Sequence, residues 1–124
     1  MERTAVDGIR VNSYEPDTPA AVNNVVRGNF VRSVGVDGIS IATDGPGTVT
    51  GTVVQDNVVV GSGDDGIDVA SPSTMVRGNV AVRNGDLGIE AVSGVTDGGS
   101  NLAYANGNPL QCTNIQCSGG RAGR

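Results

Sequence analysis

Apolar and polar residues alternate along this chain in short segments that recur in one register. Ile9/Val11, Ile39/Ile41, Ile67/Val69 and Ile89/Ala91 flank the polar residues Arg10, Ser40, Asp68 and Glu90. This period of two predicts half-buried strands with the aliphatic side chains inward and the polar ones outward. A second strand is predicted before each Asn in VVRGN, VVQDN and MVRGN. Four eleven-residue segments then align without a gap: NFVRSVGVDGI from Asn29, NVVVGSGDDGI from Asn57, NVAVRNGDLGI from Asn79 and NLAYANGNPLQ from Asn101. Their Asn residues are 28, 22 and 22 positions apart. Two residues after each Asn stands a small apolar residue (Val31, Val59, Ala81, Ala103), and six after it a Gly (Gly35, Gly63, Gly85, Gly107). The first three copies close on Gly38-Ile39, Gly66-Ile67 and Gly88-Ile89, and VDGIRV near the start is a partial fifth copy.

A repeat of 22 residues is too short for a helical solenoid pair and lacks a leucine-rich signature, but it suits one coil of two or three short strands with tight turns. On the Asn-x-apolar…Gly-x-x-Gly-Ile register the chain resembles the right-handed parallel β-helix repeat family, the pectate-lyase-like type, over about residues 6–107. The resemblance implies an all-β fold, a right-handed parallel β-helix (solenoid) of about four coils stacked about 4.8 Å apart. Equivalent residues then form ladders, with Ile39, Ile67 and Ile89 in one and Asn29, Asn57, Asn79 and Asn101 in another. Residues 1–107 are assigned to coils, the first incomplete, and 108–124 to a C-terminal cap and tail. The segments 12–23 (NSYEPDTPAAVN) and 42–52 (ATDGPGTVTGT) exceed the repeat and are expected to bulge on one side, where such folds place grooves. Because VDGIRV is the second half of a repeat, the chain reads as the C-terminal part of a longer protein, or as one whose N-terminal edge another subunit covers.

Composition sharpens this reading. With 20 Gly, 20 Val and 11 Asn against three Leu, the core must be narrow and built from small aliphatic side chains. A net charge of -5 disfavours a phosphate backbone as partner, so nucleic acid is not expected. No run of 18 apolar residues occurs and the opening MERTAVDGIR lacks the apolar core of a secretory signal.

The repeated polar positions have structural and functional readings. The Asn ladder reads as corner amides bonded to their copies, and the Gly ladder as turns with positive φ. Asp65 occupies the position of Asp37 and Asp7, and Asp64 that of Asp86, so GSGDDGIDV is a repeat corner in which Asp before Gly-Ile fits a turn bonding its own backbone. Stacking nevertheless gathers Asp37, Asp64, Asp65 and Asp86 at one corner beside Asp68 and Glu90. Like charges at that spacing call for water, salt or a cation. Asp64, Asp65 and Asp86 are the candidate metal ligands, with calcium as the candidate ion. Arg27 and Arg77 share a ladder position two before Asn, with Gln55 between them, and complete the candidate binding set.

No catalytic residue is assigned. The chain has no His and no Lys, which removes the usual base, the Ser-His triad and Schiff-base chemistry. GDDGI resembles the paired-aspartate motif of polygalacturonases, but the Asn-Thr-Asp, Gly-His-Gly and distal basic motifs of those enzymes are missing. Pectate lyases pair aspartate-bound calcium with an arginine base, which keeps a lyase or hydrolase completed by other coils as the alternative. Cys112 and Cys117 enclose four residues and read as a disulfide or as two free thiols; family resemblance to exported proteins favours the disulfide and an extracellular or cell-surface location. The expected function is a secreted segment that binds polysaccharide or acts as a structural scaffold, non-catalytic by itself; a cell-surface module is a further option. Tyr14, Tyr104 and Phe30 are the only aromatic platforms available to a sugar.

Overall fold

In the computed structural model, residues 7–13, 21–42 and 49–119 are described. Among them there is no helix, and every pairing between strands is parallel, so the fold is all-β and solenoid-like. The Gly-Ile segments form one sheet: Ile9–Val11, Ile39–Ile41, Ile67–Val69, Ile89–Ala91 and Cys112–Thr113, in that order. The segments before the repeated Asn form a second, Val25–Arg27, Thr52–Gln55, Thr74–Arg77 and Thr96–Gly99. Those after it form a third, Phe30–Arg32, Val58–Val60, Val80–Val82, Asn101–Tyr104 and Cys117–Ser118. We call these the Gly-Ile, pre-Asn and post-Asn sheets.

The predicted ladders are present in register. Ile39 pairs with Ile67 and Ile67 with Ile89, all three fully buried. Val54 and Val76 from the pre-Asn sheet, and Val59, Ala81 and Ala103 from the post-Asn sheet, meet them in one core. Each such Val or Ile contributes about 1.5–3 kcal/mol by leaving water. Among the described residues the core holds no aromatic side chain, in keeping with the small aliphatic interior expected from composition. Thr52 and Thr74, adjacent in register, are also buried, and their hydroxyls have no hydrogen-bond partner among the described residues.

The corners differ from expectation in an instructive way. Left-handed backbone occurs immediately before each ladder Asn, at Gly28, Asp56, Gly78 and Ser100 (φ 70, 57, 68 and 61°). It recurs four residues after each, at Ser33, Gly61, Arg83 and Ala105 (φ 60, 75, 57 and 59°). Gly63, Gly85 and Gly107, for which positive φ was expected, lie outside that region. Close stacking of backbone is what requires Gly85 and Gly107: a Cβ on Gly85 would collide with the Gly63 carbonyl oxygen, and one on Gly107 with that of Gly85.

Ser40 is a second departure. Its place in the alternation is outward, yet it is buried, because the longer Arg10 and Asp68 flank it in register and cover its short side chain. Of the two insertions, residues 14–20 and 43–48 lie outside the described residues. Their described flanks are neighbours, since Ala21–Val22 pairs with Val49–Thr50 and the Ala42 amide donates to the Val11 carbonyl. Beyond residue 107, Cys112 pairs with Ile89 and Cys117 with Asn101, so the last segment extends two of the sheets; residues 120–124 of the tail lie outside the described residues.

Candidate functional site

Two kinds of polar ladder build the corners. Asn57, Asn79 and Asn101 are buried, and the amides of Asn57 and Asn79 have all their valences met between coils. The Asn79 Oδ1 accepts from the Asn57 backbone N–H at 3.0 Å and from Asn57 Nδ2 at 3.0 Å. Its Nδ2 donates to the Val54 carbonyl at 2.9 Å and to Asn101 Oδ1 at 3.1 Å. Asn57 repeats the arrangement with Asn29, Val26 and Asn79. These asparagines are therefore structural.

A second amide ladder was not anticipated. The Ser62 amide donates to Asn84 Oδ1, the Asn84 amide to Asn106 Oδ1, and the Asn106 amide to Gln111 Oε1. The 22-residue interval between Asn84 and Asn106 was its only sequence signal, obscured because Ser62 and Val34 hold the same position on the other coils.

The aspartates before Gly-Ile form a third ladder. Asp7 Oδ1 accepts the Asp37 amide (3.1 Å), Asp37 Oδ1 the Asp65 amide (3.0 Å), and Asp65 Oδ1 the Leu87 amide (2.9 Å). The turn reading thus needs correction: these carboxylates bond the backbone of the neighbouring coil, because stacking presents that amide at the same height as the side chain. Beside them Arg10, Ser40, Asp68 and Glu90 stand in register on the Gly-Ile sheet. Asp64 and Asp86 occupy the adjoining row, where Asp86 Oδ1 accepts from Asn108 Nδ2 at 3.0 Å.

The candidate metal ligands are brought together. One carboxylate oxygen each from Asp64, Asp65 and Asp86 lie within 4.8 Å of one another. Asp37, Asp65 and Asp68 form a second such group that shares Asp65. Crowding shows in the protonation equilibria. Burial, followed by the charges of Asp68, Asp7 and Asp64, pushes Asp37 up to about 7 against the relief given by the Asp65 amide. Burial and a hydrogen bond with Glu90 push Asp65 up to about 8, partly opposed by the Leu87 amide. Asp64 and Asp68 are also raised, each by burial first, then by Asp86 and Glu90 for Asp64 and by Glu90 for Asp68. Among the described residues the one salt bridge joins Arg10 to Asp7 at 2.7 Å.

Arg27 and Arg77 stand elsewhere. They are exposed on the pre-Asn sheet, paired in register through Gln55, and neither is ion-paired among the described residues. Cys112 and Cys117 form a disulfide, a bond characteristic of oxidising compartments. No helix among the described residues is long and apolar enough to cross a membrane.

An open concavity of about 290 Å³ is lined by Asp7, Arg10, Asp37, Ser40 and Asp68 with small aliphatic neighbours. A larger one, about 370 Å³, lies near the C-terminal segment between Asp97–Asn101 and Gln116–Ser118 and contains a single acid. Compared with known proteins, the chain matches no protein-family model, no curated protein and no solved structure.

Proposed function

We propose that this chain is a right-handed parallel β-helix of about four coils, of the pectate-lyase-like repeat type, acting as a secreted structural scaffold that is non-catalytic by itself. The observation that carries the reading is the set of three side-chain ladders. The repeated polar positions are engaged in holding coil on coil, through Asn57 and Asn79 at one corner, Asn84 and Asn106 at another, and Asp37 and Asp65 at a third. The carboxyls raised into the range of a general acid, Asp37 and Asp65, are 6% and 2% exposed and each accepts a backbone amide of the next coil through Oδ1, which commits them to the stack. Incubation with pectin and alginate tests this: no unsaturated or reducing ends are expected, and their release by the wild type and loss in Asp64→Asn/Asp65→Asn would replace the scaffold with a lyase or hydrolase.

Polysaccharide binding is favoured by one feature, the row Arg10, Ser40, Asp68 and Glu90 beside the acidic concavity, which offers carboxylate acceptors to sugar hydroxyls at the spacing of successive strands. Co-sedimentation with insoluble neutral glycans is expected to retain the wild type and to release Asp68→Asn/Glu90→Gln. Equal retention of both proteins would leave the scaffold reading alone.

A further inference from the structure

The post-Asn sheet sends apolar side chains both ways. Val31, Val59, Ala81 and Ala103 enter the core. Their neighbours in each strand stand outward and stack in two rows, one made of Phe30, Val58, Val80 and Leu102, the other of Arg32, Val60, Val82 and Tyr104. Arg32 is the one charged member. We propose that this outer face is a self-association surface, on which a second copy of the chain packs face to face about a two-fold axis running along the strands, between Val58–Val60 and Val80–Val82.

The face differs from the other two. The Gly-Ile sheet turns Arg10, Ser40, Asp68 and Glu90 outward. The pre-Asn sheet has one apolar outward row, Val25, Val53 and Met75, and one polar row, Arg27, Gln55 and Arg77. A parallel sheet that is apolar on both sides is characteristically covered on both sides. Here Phe30 is 63% exposed and Val58, Val60, Val80, Leu102 and Tyr104 are half-buried, with Val82 alone buried within the rows.

Charge and symmetry select the partner. An axis along the strands reverses the order of the coils, so Phe30 of one copy lies opposite Leu102 of the other, Val58 opposite Val80, and Arg32 opposite Tyr104. Each contact occurs twice, and the single charge of the face meets the one aromatic ring of its row, where a guanidinium packs on the ring. The two Arg32 residues are then three strand spacings apart, about 14 Å. An axis along the stack would instead bring both to the first coil, roughly 7 Å apart, where like charges repel. A sugar fits less well, because the face is built of branched aliphatic side chains and its two rings, Phe30 and Tyr104, stand at opposite corners. Four strands by three residues cover roughly 19 by 10 Å, well below the about 800 Å² per partner of a standard stable interface, so association is weak, with a Kd on the order of 100 µM. Stiff valines on a fixed backbone keep the ordering cost low.

Sedimentation equilibrium of the full chain from about 10 µM to about 1 mM tests the surface. The 12.4 kDa monomer is expected at the low end and a reversible dimer at the high end, with no larger species because a two-fold contact closes on itself. Val80→Lys should keep the chain monomeric throughout, with the wild-type melting temperature at low concentration. If that variant melts early, Arg32→Ala carries the test, since its side chain is exposed; it should weaken the dimer by about tenfold, its ring contact being made twice. Oxidation of mixed Phe30→Cys and Leu102→Cys proteins should link one to the other, whereas Phe30→Cys alone should not link to itself. A monomer at about 1 mM would overturn the proposal. So would dimers indifferent to both Val80→Lys and Arg32→Ala, open-ended oligomers, or self-linking of Phe30→Cys as ready as the mixed reaction. Retention of a monomer on insoluble glycan, lost in Phe30→Ala/Tyr104→Ala, would reassign the face to polysaccharide.

Discussion

Removing the amide of Asn79 should cost far more than its size suggests. In Asn79→Ala four hydrogen bonds disappear at a position with no exposure. The Asn57 backbone N–H loses its acceptor, one hydrogen of Asn57 Nδ2 is stranded, and a donor is withdrawn from both the Val54 carbonyl and Asn101 Oδ1. Each buried group left unpaired costs about 1–3 kcal/mol. With two fully stranded donors, about 3–5 kcal/mol is expected, a large part of the roughly 5–15 kcal/mol that holds a domain together. Asn57→Ala should cost less, about 1–3 kcal/mol, because the donors it strands belong to the partly exposed Asn29 and water replaces them. Asn29→Ala should cost least. Urea unfolding of the three variants reads this order from the midpoints, provided the slope is constant. A cost for Asn79→Ala no greater than that of Asn29→Ala would mean that the amides contribute little to the stacking.

Three further outcomes are expected. In chelator-treated buffer, stability should fall between pH 5 and pH 8. Asp37 and Asp65, with folded values of about 7 and about 8, hold protons that the unfolded chain has released above about pH 4, so the stabilisation is complete at low pH and is lost as the pH rises through the folded values; Asp37 alone corresponds to about 3 kcal/mol over that window, and a flat or rising profile in denaturant titrations refutes the assignment. Cys112→Ser/Cys117→Ser should lose about 2 kcal/mol, the low end of the range for a disulfide because the loop is short, and titration of the unfolded, unreduced wild type should find no free thiol. Gly85→Ala should destabilise the chain by more than about 1 kcal/mol, since a Cβ there meets the Gly63 carbonyl oxygen; a thermal midpoint equal to the wild type would show that the coils can part at no cost.

The ladders of Ile39 and Asn79 could be read from sequence because one residue type recurs at a constant interval, and parallel stacking turns that interval into contact. What could not be read depends on which coil supplies the partner. Asp65 before Gly-Ile looks like an ordinary turn residue until the next coil places the Leu87 amide over it. Asn84 and Asn106 do not stand out as a ladder because the same row contains Ser62 and Val34, so the residue type changes while the geometry persists. Alternation correctly places Ser40 in an outward position, but exposure depends on the length of Arg10 and Asp68 beside it, which periodicity does not encode. The convergence of Asp37, Asp65 and Asp68 likewise joins two rows of the repeat that are separate in the alignment.

The Asn ladder has a direction. At each of its three steps Nδ2 of one rung donates to Oδ1 of the rung on the following coil, from Asn29 to Asn57, Asn57 to Asn79 and Asn79 to Asn101. Side-chain amide dipoles that point the same way add, as peptide dipoles do along a helix, and each bond polarises the next. The column therefore forms a macrodipole made of side chains, running parallel to the stack, with its negative pole at the oxygen of Asn29. A substitution at Asn79 divides that column in two, whereas one at Asn29 only shortens it. Paired substitutions along the ladder should consequently be non-additive even between rungs that never touch.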